Sequence, residues 1–82
     1  MKIKKSIAVS ETGFVFDPTT GESFSLNEIG IEYLNRLKEG VEKDEIKKEI
    51  LEKYDVDEMT FESSFNDFIN MLYAYQLLEK ND

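Results

Sequence analysis

The hydrophobic period of this 82-residue chain changes once, near residue 26, and that change limits the folds open to it. Before it, apolar residues fall at alternate positions, the spacing of strands with one buried face; after it they fall three and four apart, the spacing of helices. Ile3, Ile7 and Val9 predict a first strand, with Lys5 interrupting its apolar face. Glu11-Thr12-Gly13 reads as a turn, and Phe14-Val15-Phe16 as a second strand with its two phenylalanines on one side. In Asp17-Pro18-Thr19-Thr20-Gly21 the proline presets its own φ, the aspartate can bond the backbone ahead of it, and the glycine accepts a positive φ, so a hairpin turn is expected. Glu22 to Leu26 then predicts a third strand. Phe24 and Leu26 face one way and by their alternation belong to the core, while Ser23 and Ser25 face the other way.

Asn27 is a good N-cap, and Glu28 lies where the helix dipole favours a negative charge. The first helix is expected to reach about Glu39, with Ile31, Leu34 and Leu37 on its inner face and Gly40 as the left-handed residue that ends it. A second helix, from about Lys43 to Tyr54, carries Ile46, Ile50, Leu51 and Tyr54 on one stripe; its Lys and Glu face reads as solvated surface. Asp57 caps a third helix whose stripe of Phe61, Phe65, Phe68 and Leu72 is continued by Leu77 and Leu78. The expectation is one α+β domain over residues 1–82, without repeats or linkers.

Composition removes several kinds of chemistry. The chain has no His, Cys or Trp, so a Ser-His or Cys-His nucleophile pair, thiolate redox chemistry and the common zinc sites are excluded. Catalysis by carboxylates, Lys or Tyr stays open. The acidic residues Glu42, Asp44, Glu45, Asp55, Asp57, Glu58 and Glu62 lack the spacing and central glycine of a calcium loop and read as caps and solubility charges, so neither metal nor cofactor is expected. Ten Lys plus Arg against 18 Asp plus Glu give a net charge of −8, which repels phosphate backbones. No apolar run approaches the roughly 20 residues of a membrane span. Met1-Lys2-Ile3-Lys4-Lys5 is not followed by an apolar signal segment, so a cytoplasmic protein without a membrane partner is expected.

The segment from Val15 to Gly30 resembles the opening of the PqqD family, also called RiPP recognition elements. Its pattern is an apolar pair, Asp-Pro, a short turn ending in Gly, an aromatic soon after, Leu-Asn, and a Gly three residues beyond the Asn. Val15-Phe16, Asp17-Pro18, Gly21, Phe24, Leu26-Asn27 and Gly30 supply all of these. Later positions also fit: Gly40, the Tyr54-Asp55-Val56-Asp57 cap, Phe68-Ile69, Leu72 and the Leu77-Leu78 pair, so that the resemblance covers nearly the whole chain. The sequence departs from the pattern at Ser64, where the family usually has Asp, and at Gln76, where it usually has Gly.

The resemblance implies a three-stranded antiparallel sheet followed by three helices, β-β-β-α-α-α, similar to a winged helix-turn-helix. It implies a non-catalytic peptide chaperone, which binds the leader of a ribosomally made precursor and presents it to a modifying enzyme, often a radical SAM enzyme. The leader would add as a strand beside Glu22, Ser23, Phe24, Ser25 and Leu26, over a groove completed by the last helix. That segment suits strand addition because it is short and free of proline. At about 100° per residue, Ser64, Met71 and Tyr75 share one flank of the last helix with Phe68 at its boundary, the expected groove wall.

A winged-helix DNA-binding regulator would share this architecture, but its recognition helix needs cations, and here that helix offers Glu58, Glu62 and Asp67 with Lys80 the only cation nearby. An acyl-carrier protein needs a Ser within Asp-Ser-Leu, and no Asp-Ser dipeptide occurs. The negative charge implies faster association with a basic leader or enzyme patch than with a neutral one. Stopped-flow association of a basic leader peptide is expected to slow as salt is raised; a salt-independent rate would show that the charge plays no part.

Overall fold

The computed structural model describes residues 2–79, so Lys80 lies outside the described residues. Three strands, β1 (Ala8–Val9), β2 (Phe14–Phe16) and β3 (Ser23–Ser25), precede three helices, α1 (Glu28–Lys38), α2 (Lys43–Lys53) and α3 (Glu58–Ala74). The sheet is antiparallel in the order β1-β2-β3, the α+β arrangement expected from the sequence. The helices cover one face of it.

The β2–β3 hairpin closes as its turn residues dictate. Gly21, at φ +80°, and Thr20 both donate to the Asp17 carbonyl, at 2.8 and 3.3 Å. The Asp17 side chain is buried, and its Oδ1 accepts from the Thr19 hydroxyl at 2.7 Å and the Thr19 amide at 3.0 Å. The hydroxyl bond is the main influence that holds this carboxyl below its usual range, against the opposing effect of burial.

Register decides which side of each strand is wet. Val9 pairs with Val15 and Val15 with Phe24, so these three share the inner face; Val15 is fully buried and the other two pack against the core. Phe14 and Phe16 do share one side, as their spacing predicts, and that side is the outer one, opposite the helices, where they are 48% and 40% exposed. With this pairing, turning them inward would bring Ser23 and Ser25 in with them and send Val15 and Phe24 out, because directly paired residues share a face.

The first predicted strand is corrected. The chain turns at Lys5–Ser6, where the Ile7 amide reaches the Lys4 carbonyl at 3.3 Å, and regular pairing covers only Ala8–Val9. Ile3 instead bridges Leu78 antiparallel, with Lys4 N–H donating to Leu77 O at 2.9 Å and Glu79 N–H to Lys2 O at 2.8 Å. Ile3 and Ile7 both reach the core, from separate segments.

The helices follow their local signals. Asn27 Oδ1 accepts from the Gly30 amide at 2.8 Å, and Asp57 Oδ1 from the Thr60 amide at 2.7 Å. Gly40 ends α1 with φ +83°, donating to Leu37 O at 3.0 Å while Val41 N–H reaches Arg36 O at 3.0 Å, the double bond of a Schellman ending. Leu34 and Leu37 are buried on α1, Ile46 and Ile50 on α2, and Phe61, Phe65, Phe68 and Leu72 on α3. The charged face of α2 does more than meet water: Arg36 pairs with Glu49 at 2.7 Å, and Lys43 and Lys47 reach Glu62 at 2.6 and 3.2 Å. These pairs are partly exposed and orient the helices more than they stabilise them.

Gly13 and Gly21 have similar positive φ values and opposite surroundings. A Cβ on Gly13 would stand 2.6 Å from the Leu26 carbonyl oxygen and 2.7 Å from Ile31 Cδ1, whereas one on Gly21 would meet nothing within 4 Å. Urea unfolding is expected to show a loss of about 1 kcal/mol for Gly21→Ala, from the left-handed conformation alone. Gly13→Ala is expected to cost about 3 kcal/mol or more, because backbone must also move. Equal losses would mean that β2 and α1 yield at Gly13.

Candidate functional site

Two features meet on one side of the molecule: the outer edge of β3, and a depression between the end of that strand and α3.

The strand order leaves β3 at a sheet edge. Leu26 N–H donates to Gly13 O at 2.8 Å and Asp17 N–H to Glu22 O at 2.9 Å. Hydrogen-bonded pairs alternate along an antiparallel ladder, so Glu22, Phe24 and Leu26 turn their backbone groups toward β2. Ser23 and Ser25 therefore turn their N–H and C=O groups away from the sheet. Both are exposed, their φ/ψ is fixed by the hairpin, and their outward groups are not used by the fold.

Across from this edge stands α3, located by an aromatic contact. The ring of Tyr33, buried on α1, meets Phe61, Phe65 and Phe68 edge-on at centroid distances of 5.9, 5.2 and 5.4 Å. Its hydroxyl lies 3.2 Å from Ser64 Oγ. Gly30, one turn earlier on α1, packs against Leu26: an added Cβ would be 3.3 Å from that side chain and 3.2 Å from the capping oxygen of Asn27.

Between the two lies an open depression of about 290 Å³. Ser25 and Leu26 line it from the strand, and Ser64, Phe68 and Met71 from the helix. Phe68 is buried and exposes little surface here, while Met71 is half-buried. At the other end Tyr75 lies flat on Phe24, with ring centroids 4.8 Å apart and planes within 14°. It covers the inward ring of β3, and neither of the two rings lines the depression. The nine residues singled out from the sequence thus divide: Ser23 and Ser25 present the edge, with Glu22 exposed beside it; Leu26, Ser64, Phe68 and Met71 line the depression with Ser25; Phe24 and Tyr75 stack on each other.

Four further residues line the same depression: Asn27, Gly30, Tyr33 and Asp67. Tyr33 had a readable signal, since Gly30, Tyr33, Leu34 and Leu37 lie at helical spacing and are all buried, whereas Ile31, expected on that face, is only half-buried. Of the two departures from the family pattern, Ser64 is accounted for by its contact with Tyr33. Gln76 adopts φ +57° as the chain leaves α3, a left-handed position where glycine carries no strain. No Lys or Arg occurs in α3. Among the described residues no group of three or more His, Cys, Asp or Glu is placed to hold a metal ion, and no helix is long and apolar enough to cross a membrane.

The ring and the hydroxyl of Tyr33 are separable. Tyr33→Phe is expected to cost about 0.5–1 kcal/mol in urea unfolding, one hydrogen bond, and Tyr33→Ala about 3–5 kcal/mol for the cavity among the phenylalanines. Equal losses would assign the support of α3 to the hydroxyl.

Comparison with known proteins agrees with the geometry. The family model for coenzyme PQQ synthesis protein D (PqqD) matches residues 12–78. Among solved structures, TbiB1 in complex with the TbiA(beta) leader peptide superposes with a TM-score of 0.86 and 29% identity, over 100% of this chain and 99% of that one. A lasso peptide synthetase B1 complexed with the leader peptide gives a TM-score of 0.82 over 96% of both chains; at 18% identity that likeness bears on the fold alone. No curated protein sequence matches this one.

Proposed function

The chain belongs to the PqqD family, and from that membership we propose that it is a RiPP recognition element, a domain that binds the leader of a ribosomally made precursor peptide and presents it to the enzyme that modifies it. The observation that carries this reading is the open β3 edge, with the amides and carbonyls of Ser23 and Ser25 directed outward beside the depression in front of α3. The leader adds as a fourth strand. Its backbone bonds to Ser23 and Ser25, and its inward side chains enter the depression against Leu26, Ser64, Phe68 and Met71. Asp67 offers a carboxylate at the same place. A peptide that reaches as far as Phe24 meets Tyr75 first, so that Tyr75 either shifts or forms the end wall.

The structurally similar TbiB1 is a complex with a leader peptide, which supports the same ligand class here. In this reading the domain is not an enzyme. The bond-making belongs to a partner, a radical SAM or other maturation enzyme, and the encounter takes place in the cytoplasm, where the precursor is made. DNA recognition is not favoured: α3, the helix that would enter the groove, carries no cation along its length.

Proline tests the edge directly. Because the amides of Ser23 and Ser25 face away from β2, Ser23→Pro and Ser25→Pro remove donors that the sheet does not use, and the fold is expected to survive. The probe is the leader of the precursor encoded nearest this gene, titrated into isotope-labelled protein. With wild type, the amides of Ser23 to Leu26 and of the second half of α3 are expected to shift. Each proline variant is expected to bind roughly tenfold more weakly. Binding that leaves those amides still, or that tolerates both prolines, would place the peptide elsewhere.

A further inference from the structure

We propose that the outer face of the sheet is a second specificity surface for the same peptide: side chains of the added strand that point away from the helices are held by Phe14 and Phe16 across the serines of β3. The ligand class is then an extended segment that is apolar at alternate positions on both its faces, rather than an amphipathic strand with one polar side. The inference rests on strand addition at β3 and specifies what is added.

Register supplies the geometry. Phe14 lies opposite Ser25 and Phe16 opposite Ser23, so the four share the outer face, with Ala8 opposite Phe16 on the other flank. Phe14 is 48% and Phe16 40% exposed, whereas Phe61, Phe65 and Phe68 are buried and Phe24 packs against the core. A single exposed ring is unremarkable on any protein surface. Here two rings stand in one row, with only hydroxymethyl groups between them and the free edge, and the fold gains nothing from their exposure. Antiparallel sheets with a solvated face ordinarily place polar residues there.

Adding a strand changes that surface. Strands sit about 4.8 Å apart, so the fourth would run at about 9.6 Å from β2. A peptide that bonds to the outward groups of Ser23 and Ser25 places the residues opposite them on the outer face, because directly paired residues share a face. Serine is too short to fill the space between. A Leu, Met, Phe or Tyr at those two positions leans over the serine and covers the ring behind it. The same two residues therefore present the hydrogen-bonding edge and leave the gap through which the rings are reached, which makes this face continuous with the proposed peptide edge. A second copy of the chain and an enzyme surface are competing occupants, and the test separates them from the peptide.

The probe is a library of random 12-residue peptides displayed on phage, selected against wild type and against Phe14→Thr/Phe16→Thr, with threonine chosen to keep strand preference. Wild type is expected to select segments with apolar residues at both parities. The double variant is expected to lose the preference at one parity only and to bind wild-type-selected peptides roughly tenfold or more weakly, the effect of two uncovered rings. With each protein the Ser23 and Ser25 amides are expected to shift on binding. Should the double variant fail to fold, Phe16→Thr alone is expected to relax the preference opposite Ser23. Identical selections and affinities within twofold overturn the inference and leave strand addition standing. Selected peptides that leave the Ser23 and Ser25 amides still overturn both. A wild type that forms dimers which the variant loses, with peptide binding unchanged, assigns the rings to a second copy and overturns the inference too.

Discussion

Tyr33 meets three phenylalanines of α3 edge-on, and the distance from α3 to the sheet depends on that contact. The helix that carries Tyr33 starts directly after β3, capped by Asn27, with Gly30 drawn against Leu26. Its position relative to the strand is fixed by backbone geometry over a few residues. Tyr33 passes that position on to α3 through rings that offer positive edges to negative faces, each such pair worth about 0.5–1.5 kcal/mol beyond the area it buries. The depression between β3 and α3 is the space left over. Gly30, the Tyr33–Ser64 contact and Phe68 all line it, so the packing of α1 on α3 sets its size.

The far end of α3 is held by different means. Leu77 N–H returns to Leu72 O at 2.9 Å, Leu77 is fully buried, and Leu78 pairs with Ile3, so the chain before the sheet and the chain after the last helix clasp each other. Tyr75 sits between that clasp and β3, stacked on Phe24. The depression itself is open, while the inward ring of β3, Phe24, is covered by a single ring at the helix terminus. A ring pair in contact is easier to part than a core, and Tyr75 stays 36% exposed while making it.

What could be read from the sequence was what is decided locally. The Asp17 to Gly21 turn, the caps at Asn27 and Asp57 and the left-handed Gly40 each follow from hydrogen bonds within a few residues, and the stripe on α3 from its own period. The parity of β2 was not decided locally. In a strand of three residues, bulk argues for Phe14 and Phe16 inside, and only the pairing of Val15 with Val9 on one side and Phe24 on the other sends them out. The alternation of Ile3, Ile7 and Val9 misled for a related reason: both isoleucines are buried, but a turn at Lys5 separates them, and the partner of Ile3 lies at the opposite end of the sequence. Around the site, the flank of α3 that carries Ser64 and Met71 was legible from helical geometry. The burial of Tyr33 follows from the spacing of α1, but its contact with Ser64, and the pairing of Tyr75 with Phe24, depend on how α3 packs against α1 and β3, which no local pattern encodes.

An open strand edge beside two exposed rings is also a surface on which copies of the chain could associate. Two features oppose this. β3 offers only three residues, too few to hold another edge without side-chain contacts on at least one face. The net charge of −8 is also poorly neutralised from within. Arg36, Lys43, Lys47 and Lys53 are each engaged with carboxylates, and Lys38 donates to the Ile7 carbonyl, while Glu22 and Asp67 stand beside the edge and the depression without a cationic partner among the described ion pairs. Two copies approaching edge to edge therefore bring like charges together, while a neutral or basic peptide meets no such barrier. Seen this way, the acidity that argues against nucleic acid also acts on partner choice at the edge: it leaves the backbone of β3 accessible to an extended peptide and discourages its use by the protein itself.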